Sequence, residues 1–176
     1  MIKIDAYDLA AYVRSQRGGP LLTILDEVRD FVFIKDLEGR FLFSNRAHLA
    51  HLGRVEAEVL GKNDFDLFPA NLAEAFYAAE THLFETQLPV VRLQESVDYQ
   101  GRKFFSTAIK ILIVDKHGNA LGLIGSVHRI ASADSADLEE SKLHIMSILR
   151  SQPGVTSGQL HAFEATLPTL PSLAAK

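Results

Sequence analysis

Residues 31–45 read Phe31-Val32-Phe33-Ile34-Lys35-Asp36-Leu37-Glu38-Gly39-Arg40-Phe41-Leu42-Phe43-Ser44-Asn45. Two runs rich in aromatic and β-branched residues, 31–35 and 40–44, flank Asp36-Leu37-Glu38-Gly39, a turn sequence that ends in glycine. The segment therefore reads as a β-hairpin. Asn45 has the side-chain oxygen that a helix start needs, and it is expected to cap a short helix carrying Ala47, Leu49, Ala50 and Leu52 up to Gly53. A second short helical piece, 55–60, stops at Gly61.

Downstream, Pro69 can open a longer helix to about Thr86, in which Leu72, Ala75, Phe76, Ala79, Leu83 and Phe84 recur at helical spacing. The runs 89–98, 102–114 and 120–131 then alternate as strands. They are joined by Tyr99-Gln100-Gly101 and Asp115-Lys116-His117-Gly118-Asn119, both turn sequences. Two strands, short helices, one long helix and three strands make an α+β domain with a five-stranded antiparallel sheet. The helices are expected on one face of that sheet.

Upstream of the hairpin, Ala6, Leu9, Ala10 and Val13 fall at i, i+3, i+4, i+7, the stripe of a short amphipathic helix over 5–14. Arg17-Gly18-Gly19-Pro20 is a hinge, and Pro20 starts a second helix with Leu21, Leu22, Ile24, Leu25 and Val28. The chain thus divides into an N-terminal helix and hinge (1–20), a domain (21–131), a polar link with an amphipathic helix (132–150), and a Ser/Thr/Pro-rich tail (151–176). The tail reads as flexible or as the start of an output segment. The link's helix would use Leu138, Leu143, Ile145, Met146 and Leu149.

Composition narrows the function. A length of 176 residues with 47% hydrophobic content supports one ordinary core. The net charge of −4 gives no basic field for nucleic acid, so direct nucleic-acid contact is not expected. The chain has no cysteine, which removes disulfides, thiolate metal sites and thiol chemistry. No stretch approaches the roughly 18 apolar residues of a membrane span, and the start lacks a signal pattern, so a cytoplasmic location is expected.

The hairpin 33–45, the segment Gly61-Lys62-Asn63-Asp64-Phe65-Asp66-Leu67-Phe68-Pro69 and the segment Asp115–Gly125 resemble, in order and spacing, the PAS family over about residues 21–131. The resemblance implies a PAS-like sheet and a sensory or regulatory role in a signal-transduction or transcription-regulating protein. In that role the domain binds a small ligand or mediates dimerisation, and it controls an attached or separate output domain. A structural interaction module with no ligand is the alternative, and a haem-based gas or redox sensor is a further one. An enzyme is not expected, because no nucleophile triad, phosphate loop or carboxylate pair stands out. Where the family often closes its last strand with Asp-Ile-Thr, this chain has Arg129-Ile130-Ala131.

The resemblance also bears on cofactors. Flavin linked through cysteine is excluded by the absence of that residue, and the position that carries the haem histidine in relatives falls on Phe76. Neither haem nor flavin is therefore expected, and the cofactor stays unknown. His82 and His144 read as solvated. His48 and His51, at i, i+3, lack the acidic residues that would complete a metal site, so they read as polar surface.

The sharper signal is charge on strand faces that should be buried. Lys35 shares its face with Phe31 and Phe33. Lys110 shares one with Phe104, Ser106 and Ala108, and Glu95 with Val91, Leu93 and Val97. Lys35, Phe33, Phe76, Glu95, Ser106, Ala108 and Lys110 are the candidate ligand-binding residues. One reading is a hollow whose unmatched lysine charge takes a small organic anion. The other is a structural ion-pair network of Lys35, Lys110 and Glu95 that includes Asp64 or Asp66. On the opposite face Phe105, Ile109 and Ile111 are too apolar for water, and the N-terminal helix is expected to cover them, either within one chain or in a homodimer.

Overall fold

Asp36, Asp98 and Asp115 build three hairpin turns on one plan. In each, one carboxylate oxygen accepts the backbone N–H groups two and four residues on: Glu38 and Arg40, Gln100 and Arg102, His117 and Asn119. The other oxygen accepts the side chain at the fourth position, from Arg40, Arg102 or Asn119. The third position is glycine, at φ of 75°, 78° and 93°, where a Cβ would be strained.

These turns join the strands of a computed structural model that describes residues 1–130, with Leu143, Met146, Ser147, Arg150, Ser157 and Gly158 beyond them. The expected helix of 132–150 and the tail otherwise lie outside the described residues. The elements are β1 (Ile2–Lys3), α1 (Leu9–Ser15), α2 (Pro20–Glu27), β2 (Phe31–Asp36), β3 (Phe41–Ser44) and α3 (Arg46–Leu52). Then follow α4 (Glu56–Val59), α5 (Asp64–Leu67), α6 (Ala70–Thr86), β4 (Val90–Val97), β5 (Lys103–Val114) and β6 (Ala120–Arg129).

The sheet runs β1-β5-β6-β2-β3, with β4 paired to β5. Five strands pair antiparallel, as the alternation predicts. The sixth, β1, pairs parallel with β5 through Ile2 and Lys3 and corrects the five-strand expectation. Two residues are too short to show a period of two, which is why the sequence pattern did not reveal it.

Two cores lie on the two faces. Phe33, Phe41, Val59, Ala79, Leu83, Leu112, Val114 and Leu123 pack between the inner face and α4 and α6. On the outer face Leu9 and Val13 of α1 pack with Leu22, Val32, Ile34, Phe43 and Ile113 of the same chain. A Cβ at Gly122 would stand 2.5 Å from a Leu9 methyl, so this glycine lets α1 lie close to the sheet. The helix therefore covers the β2–β3 half of the outer face. Phe105, Ile109 and Ile111, its expected partners, are absent from that cluster and are half-buried.

Asn45, fully buried, ties the α2–β2 connection to the start of α3. Its Oδ1 accepts from Val32 and His48 backbone N–H, capping α3. Its amide nitrogen donates to the carbonyls of Leu25, Val28 and Asp30. One side chain thus fixes the α2–β2 connection and the start of α3.

Candidate functional site

The inner row across three strands runs Phe33, Gly125, Lys110. A Cβ on Gly125 would stand 2.3 Å from the Phe33 ring, so the ring rests directly on the glycine backbone. Lys35, two residues on in β2, and Lys110 both enter the interior, at 1% and 7% exposure. Their placement follows from strand alternation, as expected.

Two carboxylates meet them. Asn63 caps α5 by accepting the N–H of Phe65 and Asp66, while Asp66 accepts that of Asn63. This fixes the short helix with Asp64 buried and Phe65 outside, 52% exposed. Glu80 reaches in from α6, on the buried stripe of Ala73, Ala79 and Leu83. Lys35 Nζ lies 2.5 Å from Asp64 Oδ2 and 2.8 Å from Glu80 Oε1, and Lys110 Nζ lies 2.5 Å from the same Glu80 oxygen.

The carboxylate expected from β4 is corrected. Glu95 registers opposite Phe105, in the outer row, whereas Gln94 and Val90 register opposite Ser106 and Lys110. The apolar row of β4 is the outer one, so its alternation was read onto the wrong face. Glu80 was missed because the stripe read for that helix, Leu72, Ala75, Phe76, Ala79, Leu83 and Phe84, left it out. The signal was a charge three residues before Leu83 and four after Phe76. With two carboxylates for two ammonium groups the cluster is neutral, which removes the excess positive charge expected to favour an anion.

Aromatic rings close the remaining sides. Lys35 Nζ is 4.5 Å from the Phe41 ring centre and 5.4 Å from that of Phe33. Lys110 Nζ is 5.5 Å from Phe76 and 5.9 Å from Phe33. Among the described residues, then, Lys110 shares one carboxylate oxygen and otherwise faces rings. Ser106 is buried and its Oγ lies 2.8 Å from Ser96 Oγ, while Ala108 keeps the same row small.

Protonation follows burial and neighbours. Burial pushes the Asp64 carboxyl up, against the pull of Lys35. Burial also opposes the charge on Glu80, but Lys110 and Lys35 outweigh it and hold that carboxyl below its ordinary value. Burial pulls Lys110 down against the attraction of Glu80.

His48 corrects the surface reading of the histidine pair. It is buried, with Nδ1 2.7 Å from Ser44 Oγ and its ring beside Phe33 and Phe41. Burial, with His51 and Lys35 adding to it, lowers its pKa to about 3. His51 stacks on Phe31 at 4.5 Å and meets the edge of Phe104 at 5.5 Å. His82 is exposed on α6, and Phe76 is half-buried beside Lys110. Among the described residues no group of three His, Asp or Glu side chains is placed to hold a metal ion, and no helix is long and apolar enough to cross a membrane.

Comparison with known proteins gives matches to this architecture. The family described as PAS fold matches residues 21–130. A diguanylate cyclase of Vibrio cholerae is 30% identical over 119 residues, which span 66% of this chain and 36% of that protein. The PAS domain of BvgS from Bordetella pertussis superposes with a TM-score of 0.58 at 23% identity, over 76% of this chain and 98% of that one. VqmA from Vibrio cholerae, described in a ligand–DNA complex, superposes at 0.58 and 19% identity over 82% of this chain and 78% of that one. The same protein is also described as a dimer.

Proposed function

The chain belongs to the PAS family, and we propose that within it this domain is a small-ligand sensor, regulatory and not catalytic, acting in the cytoplasm on an output element. The ligand would lie between the inner sheet face and α6. Lys110 would be its polar anchor, Phe33 and Phe76 its walls, and Ser106 and Ala108 its floor. The observation that carries this reading is Lys110 itself, a buried ammonium that shares one carboxylate oxygen with a second lysine and turns its other sides to rings. An acceptor atom on a ligand would complete it. Because the four charges cancel, the ligand is a small, net-neutral molecule with a hydrogen-bond acceptor. The cyclase relative, matched over about a third of its length, and the ligand and DNA described with VqmA support a regulatory setting.

Native mass spectrometry of the purified protein reads bound small molecules directly. Lys110→Met keeps most of the stem volume and removes the anchor. The wild type is expected to show a ligand-dependent rise in melting temperature that the variant, still folded, loses. No ligand-dependent shift in either protein, with the variant less stable, would leave a purely structural ion network as the reading.

Self-association is a second reading, favoured by α2. Leu21 and Ile24 of that helix are 46% and 64% exposed, Val28, which follows it in extended conformation, is 38% exposed, and Leu22 is buried. A second copy would cover these exposed side chains. Ile24→Glu is expected to turn a dimer into a monomer in light scattering. A monomeric wild type, or a dimer unchanged by the substitution, counts against it.

A further inference from the structure

We propose that Lys110 is a covalent capture point, its amine forming a reversible imine with a small neutral aldehyde or ketone admitted beside Phe33 and Phe76. This rests on the reading that the inner face admits a small ligand, and it names the class of that ligand.

Four charges share one buried cluster. Lys35, Lys110, Asp64 and Glu80 are between 1% and 7% exposed, so each charged form loses most of its hydration. Passing one proton from an ammonium to a carboxylate leaves a single ion pair and two neutral groups. The net charge stays at zero, and this form, with two desolvated charges, exchanges with the four-charge form and supplies the reactive amine.

Geometry selects the donor and the acceptor. Among the described residues, Lys35 pairs with both carboxylates, whereas Lys110 pairs with Glu80 alone, through an oxygen that Lys35 also uses. Lys110 is thus the ammonium with less compensation, and it has the like charge of Lys35 across a shared atom. Asp64 is the carboxylate with one ammonium, Glu80 the one with two. The protonation tendencies agree: burial lowers the Lys110 pKa and raises that of Asp64, while Glu80 keeps its charge. A desolvated lysine beside a second cation is the arrangement that makes an amine nucleophilic near neutral pH.

The step balances within the cluster. The neutral amine's lone pair attacks the carbonyl carbon, a C–N bond forms, and the C=O π pair moves to oxygen. The Glu80 carboxylate, 2.5 Å from Nζ, carries the nitrogen's two protons in turn, the first to that oxygen to give the carbinolamine and the second to its hydroxyl. Water leaves and the imine remains. No oxidant or reductant takes part, and hydrolysis reverses the step.

Reductive trapping tests it on the wild-type chain. The protein is treated with limiting formaldehyde, or with acetone, and sodium cyanoborohydride across a pH series, and each lysine is read by peptide mapping. Exposed Lys62 is the internal reference. Lys110 is expected to be alkylated at least about tenfold faster than Lys62 at pH 7, with its rate rising at lower pH than that of Lys62, because the free-amine fraction sets the rate. A Lys110 that reacts no faster than Lys62, or whose rate rises at no lower pH than that of Lys62, overturns covalent capture. If trapping fails while native mass spectrometry still shows a ligand lost in Lys110→Met, the sensor reading stands and only the imine falls. If neither appears, both fall.

Discussion

Glu80→Gln is expected to destabilise the domain by about 3–5 kcal/mol, the range for removing one partner from a buried ionic cluster. Glu80 Oε1 is the one oxygen that serves both lysines, so its charge compensates Lys35 at 2.8 Å and Lys110 at 2.5 Å together. The glutamine keeps the shape and loses the charge, which leaves two buried ammonium groups against Asp64. The double substitution Glu80→Leu with Lys110→Met removes one charge of each sign and leaves the Lys35–Asp64 pair intact. It is expected to be more stable than Glu80→Gln alone, since what costs is the unmatched charge and not the absence of the pair. Urea unfolding of the three proteins measures both differences. A loss under about 1 kcal/mol for Glu80→Gln would mean that water already screens the cluster.

This cluster also marks where the sequence was informative and where it was not. The faces of β2 and β5 and the interior positions of Lys35 and Lys110 follow from alternation, because each of these strands has an apolar face whose hydrophobic residues set its direction. Strand β4 shows the limit of that rule. Its more apolar row, Val91 and the positions alternating with it, lies on the outer side in register with Phe105, Thr107 and Ile109. A strand with an apolar outer row cannot be oriented from its own residues. Glu80, and the choice of Asp64 over Asp66, were hard for a different reason: which helical charge meets a strand lysine depends on how α5 and α6 cross the sheet. Sequence periodicity has no term for that packing. The family resemblance supplied the architecture, Asp64 was one of two acids expected in the network, and Glu80 came only from three-dimensional packing.

The neutrality of the cluster changes what the domain can respond to. A hollow with surplus positive charge would gather anions by field alone. A balanced cluster exerts little net field and discriminates through hydrogen bonding and shape at Lys110, where a polar group left unpaired by the wrong ligand costs more than a missing contact. Replacing Asp64 or Lys35 singly would restore a net charge. Such variants should therefore shift preference toward ligands of opposite sign as well as lower stability.

Acidification is expected to unfold the domain through His48, with a loss that begins near pH 6.5 and grows as the pH falls toward 3. His48 is about 5% exposed, held between Phe33, Phe41 and Ser44, and burial lowers its pKa to about 3. The unfolded chain's histidine protonates near its ordinary 6.5. Between those values the unfolded state binds a proton that the folded state refuses, so stability rises with pH and falls on acidification. At about 1.4 kcal/mol per pH unit, the loss from this group approaches about 5 kcal/mol at pH 3, a large share of the stability of an ordinary domain. Glu80, whose carboxyl is held below its ordinary value, adds a loss of the same sign once the pH falls below the ordinary carboxylate range. His48→Leu separates the two contributions. It forfeits the Ser44 hydrogen bond at every pH but has no proton to take up, so the gap between wild type and variant should narrow steadily from pH 6.5 downward. Urea midpoints measured at half-unit steps between pH 7 and 4 give that gap directly, and a gap that stays constant over the range would place the proton uptake on another group.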